Sequence, residues 1–335
     1  MIKEYRILVL TDHTGHSDQN SIYAILNQML VHPRCHSIDI ASRGLKENTL
    51  FFDGMQREAL LGTSLTKDFQ YTISGKYYKI NLRKLKVKDY DLVLLRLPRP
   101  ISDEFLEWLA EVFSHASVIN NPRGIIITSN KKYLVNFPKI CPDARLCYSI
   151  EEIYQEIAKY PIVLKPLKEY GGRGILRING DLIDDGTKEY DTEIYLKAME
   201  EIIERDGYLS MRYLKNVHQG DKRILIAGGE ILAASLRIPK EGSWLCNIAQ
   251  GGKSEAAKIT KTEKEIINHI NPKLQSHGIL IYGVDTLVDD NGERVLSEIN
   301  TLSIGGFLQT EMNTNRPIIK KLLDKIFEHA DKWTT

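Results

Sequence analysis

The stretch GILIYGVDTLVDDNGERVLSEIN, residues 278–300, decides how this chain is read. An apolar run leads in, Asn291-Gly292 sits in the middle, and a second strand-like run leads out. Asn-Gly between two such runs is the strongest short hairpin signal and predicts a two-residue type I′ turn. With that turn Asp290 faces Glu293, and stepping outward along the pair brings Asp285 opposite Glu298. Asn300 lies two residues beyond Glu298, hence on the same face, and its partner Gly283 has no side chain to block that face. Opposed carboxylates repel unless something positive sits between them. A divalent cation meets that need, because Mg²⁺ takes one or two carboxylates and completes its shell with water and phosphate oxygens. Leu296, Ile299 and the apolar run 279–282 predict a partly buried hairpin. Asp285, Glu298 and Asn300 are therefore the candidate metal ligands.

Upstream, KPLKEYGGRG (165–174) lies between strand patterns at 162–165 and 175–178. Gly171, Gly172 and Gly174 permit positive φ and let backbone N–H groups converge on an anion. No helix pattern follows, so this is neither a Walker A loop nor a dinucleotide fingerprint. Lys165 ends a buried strand, where an ammonium needs an anionic partner. Further strands are expected at 208–214, 222–227 and 231–238, with Gly228-Gly229 as a tight turn. Arg223 begins one of these strands and Arg237 ends the next, and arginine is the preferred clamp for carboxylate or phosphate. The connector PKEGSWLCNIAQGGK (239–253) is long for its place and reads as a mobile lid. Helix patterns span 189–205 and 316–332. Ser149 with Glu152, and Thr262 with Glu265, read as capping boxes.

The first third alternates strand and helix patterns: strands at 6–10, 91–95 and 117–120, helices at 21–30 and 102–115. That predicts a parallel α/β domain over residues 1–122, ending at the Asn120-Asn121-Pro122 turn, with an α+β half over 123–335. His13, His16, Ser17 and Asp18 follow the first strand, at the end where α/β ligand sites gather. They either bind a carboxylate substrate or cap the helix that starts near Asn20. KYYKINLRKLKVKDY (76–90) interleaves basic and aromatic residues, a pattern that suits nucleic acid. The Ser74-Gly75 turn before it favours a hairpin with one solvated basic face instead.

The chain has 335 residues, a length that suggests two domains. Its 45 Lys+Arg against 44 Asp+Glu leave a formal charge of +1, which excludes a broad electrostatic case for nucleic acid or membrane. No apolar run approaches the length of a membrane span, and MIKEYRILVL lacks a signal-peptide cleavage site, so a cytoplasmic enzyme is expected. The four cysteines, Cys35, Cys141, Cys147 and Cys246, show no zinc spacing and read as small reduced hydrophobic residues.

Six motifs in order then resemble the ATP-grasp ligases, and within them the bacterial glutathione synthetases. They are NKKYL (130–134), the KPL…GGRG loop, GDKRIL (220–225), RIP (237–239), NIAQGG (247–252) and YGVD…SEIN. The resemblance runs from about residue 94 to 306 and implies an N-terminal α/β domain followed by a two-lobed ATP-grasp domain, with lobes at about 123–206 and 207–335. It implies that Lys132 and Lys165 contact ATP phosphates, that Gly171–Gly174 cover them, and that Met211, Arg212, Tyr213 and Leu214 supply the adenine hinge. Asp221 would lie near the ribose. Asp285, Glu298 and Asn300 would hold Mg²⁺, or Mn²⁺ in its place. Arg223 and Arg237 would face the transferred phosphate and the substrate carboxylate as catalytic groups. Asn247, Gly251 and Gly252 fall in the closing loop, and Ser303, Gly305 and Gly306 in the substrate pocket.

The chemistry implied is phosphorylation of a carboxylate by ATP, followed by attack of an amine on the acyl phosphate. γ-Glutamylcysteine and glycine are the leading small-molecule substrates, in a homo-oligomer. Departures from the family pattern matter more for the substrate than for the chemistry: Met211 replaces a glutamine in the hinge, Leu245 beside Cys246 an arginine in the lid, Ser303-Ile304 a serine-proline, and Leu308-Gln309 an arginine-glutamate pair. A ligase for another acid, peptide or protein carboxylate therefore stays open, as does a nucleotide-binding protein without turnover.

Overall fold

The computed structural model describes residues 3–169, 172–240, 244–245 and 253–333, and its strands form three sheets. The first holds β1 (Tyr5–Thr11), β2 (Cys35–Ser42), β3 (Leu61–Ser64), β4 (Arg83–Lys84), β5 (Leu92–Arg96) and β6 (Ser117–Ile119), in the order β4-β3-β2-β1-β5-β6. β2, β1, β5 and β6 run parallel, and β3 and β4 are antiparallel additions at the edge. A parallel strand covered on both faces must be apolar on both. Accordingly Ile7 and Val9 of β1 pack with Ile22 and Leu26 of helix Ser21–Leu30, while Leu8 and Leu10 belong to the cluster that holds Phe105 and Leu109 of helix Asp103–Val112. The two helices therefore cover opposite faces, and the strand order reverses between β1 and β5. Thr11 and Arg96 pair there, at the C-terminal ends.

The second sheet is antiparallel throughout. It comprises β7 (Ala144–Cys147), β8 (Ile162–Pro166), β9 (Leu176–Asn179), β10 (Leu182–Asp184), β11 (Glu189–Asp191) and β12 (Tyr208–Arg212), ordered β11-β10-β9-β8-β12-β7. The third comprises β13 (Asp221–Ala227), β14 (Glu230–Ile238), β15 (Lys253–Ala256), β16 (Ile281–Val288) and β17 (Arg294–Asn300), ordered β15-β14-β13-β16-β17 and again antiparallel. A parallel α/β unit followed by antiparallel sheets flanked by helices is the class expected from sequence.

Several local expectations are corrected. The pattern at 189–205 opens as strand β11, then forms helices Thr192–Ala198 and Glu200–Asp206 with a break at Met199. Asp191 pairs with Leu182 at the sheet edge and caps the next helix by accepting from the Ile194 N–H, so one residue ends the strand and starts the helix. Residues 76–90 form no hairpin. Lys76–Lys79 and Val87–Asp89 are short helical turns around β4, because Tyr78, Leu85 and Val87 turn into the core. The second capping box is Thr260 with Glu263, not Thr262 with Glu265. Glu263 is fully buried there, accepting from Lys222 Nζ at 2.8 Å and the Thr286 hydroxyl at 2.9 Å, and these partners fix the helix start. Ser149 does cap its helix, but the Glu152 carboxylate accepts from the Tyr148 N–H rather than closing the box.

Asn120 joins the first and third sheets. Its buried amide donates to the carbonyls of Ile281 (2.6 Å) and Thr301 (2.7 Å) and accepts from the N–H groups of Leu280 and Ile281. Asn120→Leu keeps the volume but strands all four backbone groups in the interior. Each orphan costs about 1–3 kcal/mol, so the variant should lose about 4 kcal/mol or more in chemical denaturation. A loss below about 1 kcal/mol would mean that water replaces the amide.

Candidate active site

The hairpin that decides the fold also lines a cavity of about 380 Å³. Asp285 stands opposite Glu298 and Gly283 opposite Asn300, as the sequence predicts, but by a different route. The turn is longer than a two-residue type I′: the chain closes between Asp289 and Glu293, and the Asp289 carboxylate caps Asn291 and Glu293. Val288 then pairs with Arg294, one residue out of the predicted register, and an irregularity between Asp285 and Thr286 restores it. Asp290 pairs with Arg212 instead of facing Glu293. Two one-residue errors offset each other.

On β13, Arg223 pairs with Asp285 of β16, and Asp221 pairs with Arg237 of β14. The Arg223 guanidinium grips Asp285 edge-on, through Nε to Oδ1 and through Nη2 to Oδ2 at 2.7 Å. Arg237 grips Asp221 by the same Nε/Nη2 edge and reaches Asp285 Oδ2 at 3.0 Å. Burial raises the Asp285 carboxyl, but Arg223 and Arg237 outweigh it and hold it below the usual carboxylate range. Burial and the Asp285 charge push Asp221 upward. Guanidinium groups are thus the positive charge at Asp285.

Glu298 is half-buried and has no hydrogen bond or ion pair among the described residues. Two lysines look toward it. Lys165 is buried on β8 and donates to the Ser297 carbonyl at 3.2 Å. Lys131 is buried in the turn Lys131–Asn136, with its Nζ donating to the Glu169 carbonyl. Burial pulls both ammonium groups down, and Glu298 is the first charge opposing that in each case. Lys132, the neighbour singled out from sequence, is exposed and outside the cavity wall; Lys131 lines it. Adjacent lysines in a tight turn look the same in sequence, and only tertiary placement decides which faces inward.

Met211, Arg212, Tyr213 and Leu214 line the same cavity, as do Gly172, Asp221, Asn300, Ser303 and Gly305. Gly172 (φ 76°) and Gly174 (φ 68°) both take left-handed backbone, but Gly174 is not in the wall. Gly306 lines a smaller adjoining cavity. Gly171, Asn247, Gly251 and Gly252 lie outside the described residues, as does most of the 239–253 segment. Leu245 is in the wall; Leu308 and Gln309 are not. Asn20, rather than Ser17 or Asp18, caps helix Ser21–Leu30. His13 stacks on Tyr78, and His16 bonds Thr11 Oγ1 and the Tyr23 hydroxyl.

Sequence reasoning missed the clamp around Trp244. Its Nε1 donates to Asp184 Oδ2 at 2.9 Å, and the Arg177 guanidinium lies 5.7 Å from its ring and 5.4 Å from that of Tyr213. Trp244 inside the lid pattern was the one available signal.

Asp285, Glu298 and Asn300 share one hairpin face, as a hard divalent cation needs; Glu298 has its carboxylate free for one, whereas both Asp285 oxygens are engaged by Arg223 and Arg237 and would have to be shared with it. Among the described residues no three His, Cys, Asp or Glu side chains converge. A cation here must therefore complete its shell with the Asn300 amide, water and phosphate oxygens.

The family model for the prokaryotic glutathione synthetase ATP-grasp domain matches residues 130–315, more than half of the chain. The glutathione synthetase of Brucella melitensis biotype 1 is 27% identical over 261 residues, spanning 76% of this chain and 79% of that protein. Among solved structures, D-cycloserine synthetase DcsG superposes with a TM-score of 0.67 at 9% identity, over 97% of this chain and 99% of that one. D-alanyl-alanine synthetase A of Vibrio cholerae gives a TM-score of 0.62 at 15% identity, over 98% and 99%. At such identities the superpositions establish the ATP-grasp fold, and the sequence match establishes the kinship: the chain belongs to the prokaryotic glutathione synthetase family of ATP-grasp proteins.

Proposed function

We propose that this protein is an ADP-forming carboxylate–amine ligase that uses Mg-ATP, and that it joins γ-glutamylcysteine to glycine. One observation carries the reading. A single cavity gathers two buried lysines, a free carboxylate, and an aspartate gripped by two arginines. An ATP triphosphate beside a second anionic substrate needs that excess of positive charge. Lys131 and Lys165 hold the phosphates, and residues 211–214 border the adenine. Arg223 and Arg237 offset charge on the transferred phosphoryl group and the acid. Mg²⁺, held by Asp285, Glu298 and Asn300, supplies charge neutralisation at the phosphates.

In the reaction an acid carboxylate oxygen bonds to the γ-phosphorus and ADP leaves. The amine nitrogen then bonds to the acyl carbon, phosphate leaves and a proton is released. The test is ADP release with both substrates and product mass. Release that needs γ-glutamylcysteine and glycine together supports the reading; none with any acid and amine pair contradicts it. Leu245 in the wall favours one second reading, a different acid on the same scaffold, which a mixed pool of dipeptides and amino acids would reveal. The family reading also makes the enzyme a cytoplasmic homo-oligomer, which light scattering of the purified protein checks for assembly. No helix among the described residues is long and apolar enough to cross a membrane.

The two adjacent lysines give a sharp contrast. Lys131→Ala should weaken Mg-ATP binding by about 10-fold or more, the scale of one charge-assisted contact. Lys132→Ala should stay within about twofold, as an exposed residue outside the wall. Calorimetric titration decides, and the reverse order would restore Lys132 as the phosphate ligand.

A further inference from the structure

Two residues of the cavity wall come from distant parts of the chain and share one support. Tyr213 follows β12, and Trp244 stands in the connector after β14. The Arg177 guanidinium lies over both rings, 5.4 Å from the centre of Tyr213 and 5.7 Å from that of Trp244. Arg177 does not itself line the cavity. It sits on β9 opposite Asp184 of β10, and its Nη2 donates to Asp184 Oδ2 at 2.6 Å. The same oxygen accepts from Trp244 Nε1. Asp184 Oδ1 accepts from the Gly186 N–H at 2.7 Å. A Cβ on Gly186 would collide with Leu245 Cδ1, so glycine leaves the place that Leu245 fills.

An exposed cross-strand ion pair contributes little and touches nothing beyond its own hairpin. This pair differs on both counts. It is mostly shielded, with 30% of the arginine side chain and 17% of the aspartate exposed. The carboxylate fixes the plane of the guanidinium, and two aromatic rings from outside the hairpin pack on that cation. Met211 and Leu214 line the cavity beside Tyr213, as does Val163, which pairs with Met211 across the sheet. Apolar side chains beside an aromatic ring suit the flat faces of a purine. Arg177 offers the triphosphate little, because Asp184 already answers its charge.

We propose that Arg177 is a positioning residue for the nucleotide base: it joins Tyr213 and Trp244 into one wall, so that base binding and the docking of Trp244 strengthen each other. The proposal rests on the ATP reading above and deepens it, tying the hinge to a tryptophan in a separate connector. Linkage makes the effect reciprocal: what the base gains from the docked tryptophan, docking gains from the base.

The test is calorimetric titration with Mg-ATP and with Mg-tripolyphosphate, which has the phosphates and no base. Wild type, Arg177→Met, Trp244→Leu and the double variant are compared. Loss of the stacked cation or of its ring predicts Mg-ATP binding weakened by about 3–30-fold in each single variant. The double variant should be no weaker than Arg177→Met, because both residues act through one wall. Tripolyphosphate should bind every variant within about twofold of wild type. Arg177→Lys, which keeps the charge and loses the planar face, should fall between. Equal losses for tripolyphosphate, losses that multiply in the double variant, or unchanged Mg-ATP binding in either single variant overturns the proposal. Trp244→Leu alters only a connector residue and carries the same comparison if Arg177→Met does not fold. A wild-type protein that binds no Mg-ATP contradicts the ATP reading instead. Trp244 emission, taken as the difference from Trp244→Leu, is then the probe: a shift to longer wavelength in Arg177→Met sustains the positioning role, and an unchanged maximum overturns it.

Discussion

Glu298→Gln is expected to lower ADP formation by about 10³-fold while leaving the protein folded. The substitution keeps the side-chain shape and removes one negative charge from the face that also carries Asp285. Glu298 has no hydrogen bond or ion pair to lose among the described residues, and it stands opposite another carboxylate. Removing its charge relieves repulsion with Asp285 and also takes away the charge that offsets the burial of Lys131 and Lys165, so thermal stability should change little. A structural glutamate would behave in the opposite way, losing stability and activity together. The measurements are ADP release across a Mg²⁺ titration and a thermal melt of the same preparation. Activity within about tenfold of wild type at every Mg²⁺ concentration would remove Glu298 from the metal site.

The second large effect is at Lys165. Its ammonium is buried on β8, burial pulls its proton affinity down, and among the described residues its one hydrogen bond goes to the Ser297 carbonyl. Glu298 offsets part of the desolvation cost without forming an ion pair among the described residues, and nucleotide phosphates are the partner that would offset the rest. Lys165→Met fills the same space with an uncharged chain. Turnover should fall by about 10²–10³-fold, mostly through weaker Mg-ATP binding, while the ligand-free protein melts no earlier than wild type. Added Mg-ATP should raise the wild-type melting temperature clearly and that of the variant little. A variant that binds Mg-ATP normally, or that is plainly less stable without it, would give Lys165 a structural role.

The sequence carried most of the architecture because its strands obey simple periodicity. β1, β5 and β6 are short apolar runs between helix patterns, and β13 and β14 flank a Gly-Gly turn. Helix Ser21–Leu30 falls at the predicted residues, with Asn20 supplying the cap. The pairing of Asp285 with Glu298 was legible because both strands alternate cleanly, yet the turn and the irregularity that together produce it were not. Turn length depends on how Asp289 uses its carboxylate, which sequence spacing does not fix. The break at Met199 and the helical turns around β4 follow from tertiary contacts that override local pattern.

Side-chain partners were the least legible. Opposed carboxylates called for a positive partner, and a cation was the reading; the structure also supplies Arg223 and Arg237 from two neighbouring strands. The sequence marked both arginines as anion clamps without linking them to Asp285. Arg96 carried no motif beyond its place at the end of a strand, and only its buried Nε, unpartnered among the described residues, sets it apart.

The central claim is that this cavity activates a carboxylate by taking phosphate from ATP. The most direct measurement follows oxygen from acid to phosphate. γ-Glutamylcysteine labelled with ¹⁸O in its cysteinyl carboxylate is turned over with Mg-ATP and glycine, and the released phosphate is weighed by mass spectrometry. The account predicts one labelled oxygen in each phosphate and one left in the new amide carbonyl. Phosphate without label, released at the rate of peptide formation, would contradict an acyl phosphate at this site.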